Sequence, residues 1–416
     1  MKAVTGGQAI VKCLESQGVE YVFGMAGHAN LALLDALIDS DIKFISVPHE
    51  QIAAHAADAF FRLTHKPAVV VTTTGPGATN TVTGLADALM DSSAMVVICG
   101  GIPSFYSGTG SYQEMDAHYD DEQFEIFKPV TKKVWKVASP GLLPHIISTA
   151  FNHALTGNPG PVLVHVPLDF LSQKMEHDVR DVPSHRITGT GVLGDHIEIN
   201  RAVNMLLDAE RPLIFAGNGV LLSEATFQLT KLSEFLQAPV VTTMSGQGAI
   251  SGDHLLSAGF TGLVGTPVAN RLAREADVVL AIGTRMSEMD CNSWSPEHFF
   301  NTPSAKLIQI DINPHEIGKI YPVEIGIVGD CGATLGQLLD RAESTTSVRE
   351  PSAWVHTMIQ QREEWFAQLF EAEKSNETPI AVERLLGDIR EVLPDDGVLI
   401  SGIGVRHALA QHMRFT

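Results

Sequence analysis

Over the first 170 residues, short apolar runs rich in β-branched side chains alternate with longer stretches whose apolar positions recur every three or four residues. The spacing predicts a helix over 8–17, a strand over 20–25 (EYVFGM), a helix over 30–38, a strand over 43–48 (KFISVP) and a helix over 51–62. Three more buried strands are expected in AVVVTTTGPG, AMVVICG and PVLVHVP, with a helix over 83–90 between the first two. Such alternation is the pattern of a parallel sheet covered by helices. From 171 to 195 the periodicity is lost and polar residues with Pro and Gly take over, which reads as a linker between domains.

The cycle restarts near 196. Helices are predicted over 197–209, 223–236 and 268–276 and after Gly332, with strands at PLIFAGNG, APVVTTM, DVVLAIG and KLIQIDI. A Ser/Thr-rich break at 343–348 precedes a long polar helix over 353–374, a helix over 381–392, a PDDG turn, a strand VLISG and the opening of another helix after Gly404. The fold class expected is therefore α/β, as successive open parallel-sheet domains flanked by helices, with only the start of a third.

Composition narrows the class. The 416 residues carry 28 Lys+Arg against 48 Asp+Glu, a net charge of -20 that repels phosphate backbones and anionic bilayers. Nucleic acid and membranes are thereby disfavoured as partners. Cys13, Cys99, Cys291 and Cys331 form no C-x-x-C, so reduced thiols in the cytoplasm are expected rather than a zinc site or a disulfide framework. The N-terminus lacks a signal-like apolar run, and the longest apolar runs are strand-length.

Two places carry candidate chemistry. Thr74-Gly75-Pro76-Gly77-Ala78-Thr79-Asn80 links a strand to a helix, and its two glycines allow a ligand close to the backbone; a tight turn without a ligand fits the same residues. Glu50 follows the second strand, at the carboxyl end where open α/β sheets bind ligands. A first-turn glutamate answering the helix dipole is the plainer reading of the same position.

The segments VFGMAGHAN, VPHEQIAAHAADAFFR, TTTGPGATNTVTGLADALMDS and GTGSYQE follow one another in order, and NPGPVLVHVPLD, RPLIFAGNGV, DVVLAIGTR and IQIDINPHEIGK continue the series. With them the chain resembles the thiamine diphosphate-dependent decarboxylases and carboligases, near acetolactate synthase and benzaldehyde lyase, over essentially its whole length. The resemblance implies a pyrimidine-binding domain at 1–180, a central domain at 190–345 and the beginning of a diphosphate-binding domain at 376–416. It implies that Glu50 shares a proton with the cofactor's pyrimidine and so activates a C2 ylide acting on a 2-oxo acid or 2-hydroxy ketone. The class of activity implied is a lyase or transferase.

The resemblance also assigns cofactor contacts to Gly24, Ala26, Gly27, Thr74, Gly75, Pro76, Gly77 and Asn80. It puts His28 near the substrate and has Gln113 reach the reacting centre from a neighbouring subunit, in a homodimer or homotetramer. A solvent-facing turn histidine and an exposed loop amide fit those two residues equally well. The acidic run at 118–125 (HYDDEQFE) reads as a solvated face or part of a lid.

Departures from the family pattern are equally informative. GTRMSEMDCNSW keeps Arg285 but not the turn that follows it in the FAD-binding acetolactate synthases, which weighs against FAD. No Gly-Asp-Gly and no Asn-Asn occurs in the sequence, so no magnesium ligands are assigned here and they are expected in a C-terminal region not present. A non-catalytic member that pairs with or regulates a full-length relative, or with a separate diphosphate-domain subunit, is the alternative. A nucleotide-binding reading draws only on the fragments Gly217-Asn218-Gly219 and Gly402-Ile403-Gly404.

Overall fold

The computed structural model describes residues 4–115, 118, 123–175, 191–302, 304–394, 396–402 and 404. The chain forms two compact units, Met1–Gly189 and Thr190–Thr416.

In the first unit, β1 (Val4–Thr5) leads into α1 (Gly6–Ser16), then β2 (Tyr21–Gly24), α2 (Leu31–Leu37), β3 (Lys43–Ser46), α3 (Glu50–Thr64), β4 (Ala68–Thr72), the single turn α4 (Pro76–Thr79), α5 (Val82–Met90) and β5 (Met95–Gly101). After these come β6 (Lys133–Lys136), α6 (Leu143–Leu155), β7 (Pro161–Pro167), α7 (Leu168–Ser172) and β8 (Lys174–Met175), the last pairing antiparallel with β1. The main sheet runs β3-β2-β4-β5-β7-β6, all parallel. Its central strands β4, β5 and β7 are buried along their whole length, as a sheet covered on both faces requires. Thr5 opens α1 with a reciprocal capping box to Gln8, and α3 starts where the His49 ring accepts the Gln51 amide. Strand order reverses between β2 and β4, so the turns after those two strands flank the crevice of this sheet.

The second unit repeats the plan. It contains α8 (His196–Asp208), β9 (Pro212–Ala216), α9 (Asn218–Leu222), α10 (Thr226–Leu236), β10 (Val240–Thr242), β11 (Ser257–Phe260), α11 (Pro267–Glu275), β12 (Val278–Ile282), β13 (Lys306–Asp311), β14 (Ile325–Val328) and α12 (Cys331–Thr345). The sheet order is β11-β10-β9-β12-β13-β14, again parallel throughout, with its reversal between β9 and β12. Then follow α13 (Ala353–Ala372), anchored through buried Trp354, Val355 and Met358, and α14 (Val382–Val392), which packs on α13.

Every element predicted up to 392 is present within a few residues, the helix expected over 223–236 beginning at Thr226 as α10; the two-residue β1 and β8 and the short α4, α7 and α9 were not expected. The strands β6, β11 and β14 and the helix α6 were not foreseen. The strand expected at 398–402 does not form: Val398 and Ile400 are exposed at 84% and 91%, and no strand among the described residues pairs with them. Most of the linker, half of the acidic run and the helix after Gly404 lie outside the described residues. No helix among the described residues is long and apolar enough to cross a membrane.

Candidate active site

The crevice of the first sheet is built from two turns and one helix start. After β2, the 24–30 turn is folded by Asn30, which is fully buried. Its side-chain amide donates to Met25 O at 2.9 Å and its Oδ1 accepts from Gly27 N at 2.9 Å. After β4, Gly75 takes φ +62° and ψ -122°, a conformation open essentially to glycine, and Pro76 starts α4 with its fixed φ.

Glu50 stands at the first position of α3, only 7% exposed. Its Oε2 accepts a 2.9 Å hydrogen bond from Asn80 Nδ2, which the α4 turn brings across from β4. Its Oε1 accepts no hydrogen bond among the described residues and lies over Gly77, where an added Cβ would come within 3.4 Å of it. One carboxyl oxygen is held and the other is free, in a cleft kept open by a missing side chain. That arrangement fits a ring nitrogen exchanging a proton with Oε1. Thr74 Oγ1 and Gln113 Oε1 are buried nearby in sequence order and on the Gly75 contact, and neither has a partner among the described residues.

The structure places the other expected residues unequally. Gly24 serves strand packing, since a Cβ there would meet Val71 O of β4 at 2.1 Å. Gly27 lies against Thr73, and Ala26 is exposed. The exposed His28 ring sits 5.8 Å from the ring of Tyr112, at the outer rim. Gln113 lies against the Gly75 turn of its own chain: a Cβ on Gly75 would meet Gln113 O at 2.5 Å. Glu114 ties that loop by accepting the Ser111 amide at 2.9 Å. The amides at the start of α4 do not wait for an anion. Gly77, Ala78 and Thr79 donate to Thr74 O, Gly75 O and Gly75 O within the turn.

Two features escaped the sequence reading. Thr73 is wedged between the two turns, and nothing in a run of three threonines distinguishes it. His165 on β7 is 2% exposed and stacks on Phe124 with ring centroids 3.9 Å apart. Burial pushes its imidazole down to about 3, and Lys136, its register partner on β6, adds to the effect. Among the described residues, no group of three or more His, Cys, Asp or Glu side chains is placed to hold a metal ion. All four cysteines are buried and unpaired, and burial raises the Cys13 and Cys99 thiols to about 12.

A parallel α/β sheet with a half-held glutamate in its switch-point crevice defines a protein of ligand-binding open-sheet type. Residues 4–120 match the family model described as the N-terminal TPP binding domain of thiamine pyrophosphate enzymes, and residues 199–338 match the central domain of the same enzymes. The chain is 37% identical over 402 residues to a probable acetolactate synthase large subunit of Methanocaldococcus jannaschii, covering 93% of this chain and 64% of that protein. It is 32% identical over 418 residues to the acetolactate synthase isozyme 3 large subunit of Escherichia coli, covering 100% of this chain and 70% of that one. A third relative, an acetolactate synthase of Arthrospira platensis, is 37% identical over 350 residues, 82% of this chain and 59% of its own. The chain thus spans about two thirds of the length of these relatives. It belongs to the thiamine pyrophosphate enzyme family, in its acetolactate synthase-like branch.

Proposed function

We propose that this chain works as a thiamine diphosphate-dependent carboligase or decarboxylase of 2-oxo acids or 2-hydroxy ketones, like the acetolactate synthases it resembles. The observation that carries the reading is the Glu50 carboxyl, with Oε2 fixed by Asn80 and Oε1 free above Gly77. Glu50 would hold a proton at Oε1 for the pyrimidine ring. Gly75, Pro76 and Gly77 would lie along that ring, with Thr74 Oγ1 as a further polar contact. When bound, thiamine diphosphate supplies a thiazolium ring that accepts the electron pair freed as a substrate carbon–carbon bond breaks.

Gln113, with its Oε1 unpartnered, would orient the substrate, and His28 with Tyr112 would border the entrance. Magnesium would meet the diphosphate through ligands outside the described residues. The 24–30 and 74–80 turns supply only the pyrimidine half of a site, so a homodimer or homotetramer is the expected assembly. Four buried, unpaired cysteines accord with a cytoplasmic location.

The test is turnover of pyruvate with thiamine diphosphate and magnesium, in the wild type and in Glu50→Gln. The wild type is expected to release carbon dioxide or form acetolactate, and the variant to lose about 10²–10⁴-fold in kcat, the usual worth of a positioned acid–base group. Its thermal midpoint should stay within a few degrees. Undiminished turnover in Glu50→Gln would sink the proposed role, and a wild type that neither binds the cofactor nor turns over would sink the function.

A further inference from the structure

Thr73 directly follows β4 and enters the crevice between the two turns, yet none of the assigned roles uses it. Its Oγ1 accepts a 3.2 Å hydrogen bond from the Ala29 amide. Its side chain also fills the space above both turn glycines: a Cβ added to Gly27 would lie 2.4 Å from Thr73 Cβ, and one added to Gly77 would lie 2.5 Å from Thr73 Cγ2. The Cys99 thiol, from β5, approaches Thr73 O at 3.4 Å and holds the residue from behind.

From this geometry we infer that Thr73 is a positioning residue: its hydroxyl docks the 24–30 turn onto the 74–80 turn, and its methyl sets the spacing at Gly77 on which the free oxygen of Glu50 depends. The physical reason lies in what each half of the side chain does. A β-branched residue has few χ1 choices, so fixing the hydroxyl on Ala29 also fixes the methyl against Gly77. Removing the hydroxyl leaves the part-buried Ala29 amide without an acceptor and frees the first turn to drift from the second. Removing the methyl leaves the turns docked but the Gly77 side loose. The two halves are therefore separable. The inference rests on the functional reading only in its second consequence, that a displaced Glu50 weakens the hold on thiamine diphosphate.

The experiment is amide hydrogen exchange of the 24–30 turn in the full chain without cofactor, run beside titration of thiamine diphosphate in the presence of magnesium. Thr73→Val keeps the shape and lacks the acceptor; Thr73→Ser keeps the acceptor. Thr73→Val is expected to speed exchange at Ala29 about tenfold and to weaken cofactor binding by a similar factor, the worth of one lost acceptor for a part-buried amide. Thr73→Ser should keep the exchange protection at Ala29 while losing part of the affinity with the methyl at Gly77, whereas under a purely space-filling role its exchange would be at least as fast as that of Thr73→Val. If Thr73→Val does not fold, Thr73→Ala removes the hydroxyl together with the methyl and carries the same exchange comparison. Unchanged exchange at Ala29 in Thr73→Val, or Thr73→Ser as impaired as Thr73→Val, overturns the inference. A wild type that binds no thiamine diphosphate overturns the functional reading instead, and the exchange data still decide the docking.

Discussion

The two units place glycine-rich turns at the same topological point and use them in opposite ways. In the first, the turns after β2 and β4 stand apart, with Thr73 between them and Glu50 above Gly77. In the second, the turns after β9 and β12 close on each other. Gly219 N donates to Gly283 O at 3.0 Å, Gly217 N donates to Ile282 O at 2.9 Å, and a Cβ on Gly217 would lie 2.2 Å from Gly283 O. Gly283 itself, at φ +59°, packs so that a Cβ would meet Cys331 Sγ at 2.7 Å. A G-x-G after a strand thus marks close approach of backbone, and only the surrounding side chains decide whether the thing approached is a ligand or another turn.

The sharpest way to break this comparison is Gly217→Ala. The obstruction is a backbone oxygen in the switch point of a parallel sheet, which cannot swing away. The substitution is expected to cost about 4 kcal/mol, at the upper end of single-residue effects, seen as loss of the second unit's unfolding transition in denaturant. A cost under about 1 kcal/mol would show that the closed turns have slack and that the contrast between the units is not built into the backbone.

The buried charges extend the contrast to pH. His165 in the first unit is driven neutral by burial, with its ordinary value near 6.5 and its folded value about 3. The unfolded chain takes up a proton there that the folded unit resists, so stability falls as pH drops below 6.5, by about 3 kcal/mol at pH 4. His165→Asn should flatten that slope in the first unit alone. Asp311, at the end of β13, is pushed the other way in charge, its carboxyl raised to about 6 chiefly by burial, with Asn313 N opposing and Glu316 adding. Its contribution is fully present below pH 3.8 and is lost as pH rises through 6, by about 3 kcal/mol at pH 7. Asp311→Asn, whose Oδ1 still accepts the Asn313 amide, should remove that loss. Domain-resolved unfolding from pH 4 to 7 therefore shows the first unit gaining and the second losing; slopes of the same sign would refute the pairing.

The same contrast marks how far the sequence could be read. The strands β4, β5 and β7 are legible because a strand buried on both faces needs an unbroken apolar run, and the 74–80 turn is legible because it sits at the end of such a run. The strands β6, β11 and β14 are four residues each, too short for a period to declare itself, and β6 is half exposed. VLISG has strand composition but pairs with no strand among the described residues, and β propensity is expressed only through pairing. Thr73 reads as one of three threonines, and His165 as one polar letter in PVLVHVP; their roles depend on Ala29, Gly77 and Phe124, which only folding brings near. Gln113 was placed by resemblance alone, because no local pattern states that a loop 38 residues past Gly75 returns to cover it.

Gly77→Ala gives the smallest effect on stability and the finest test. Its added Cβ would meet Thr73 Cγ2 at 2.5 Å and Glu50 Oε1 at 3.4 Å, side-chain atoms that can move, where Gly217 faces backbone. The substitution also sits inside α4, where alanine is the better helix former by roughly 1 kcal/mol. The clash and the propensity largely offset each other, so the unfolding midpoint of the first unit should move by about 1 kcal/mol or less. Thiamine diphosphate binding should nonetheless weaken by about tenfold, because the side chains that yield are those that aim the Glu50 carboxyl. Calorimetric titration beside a denaturant melt separates the two quantities. A variant that loses stability and keeps its affinity would mean that Gly77, like Gly217, is there for packing, and the difference between the two crevices would disappear.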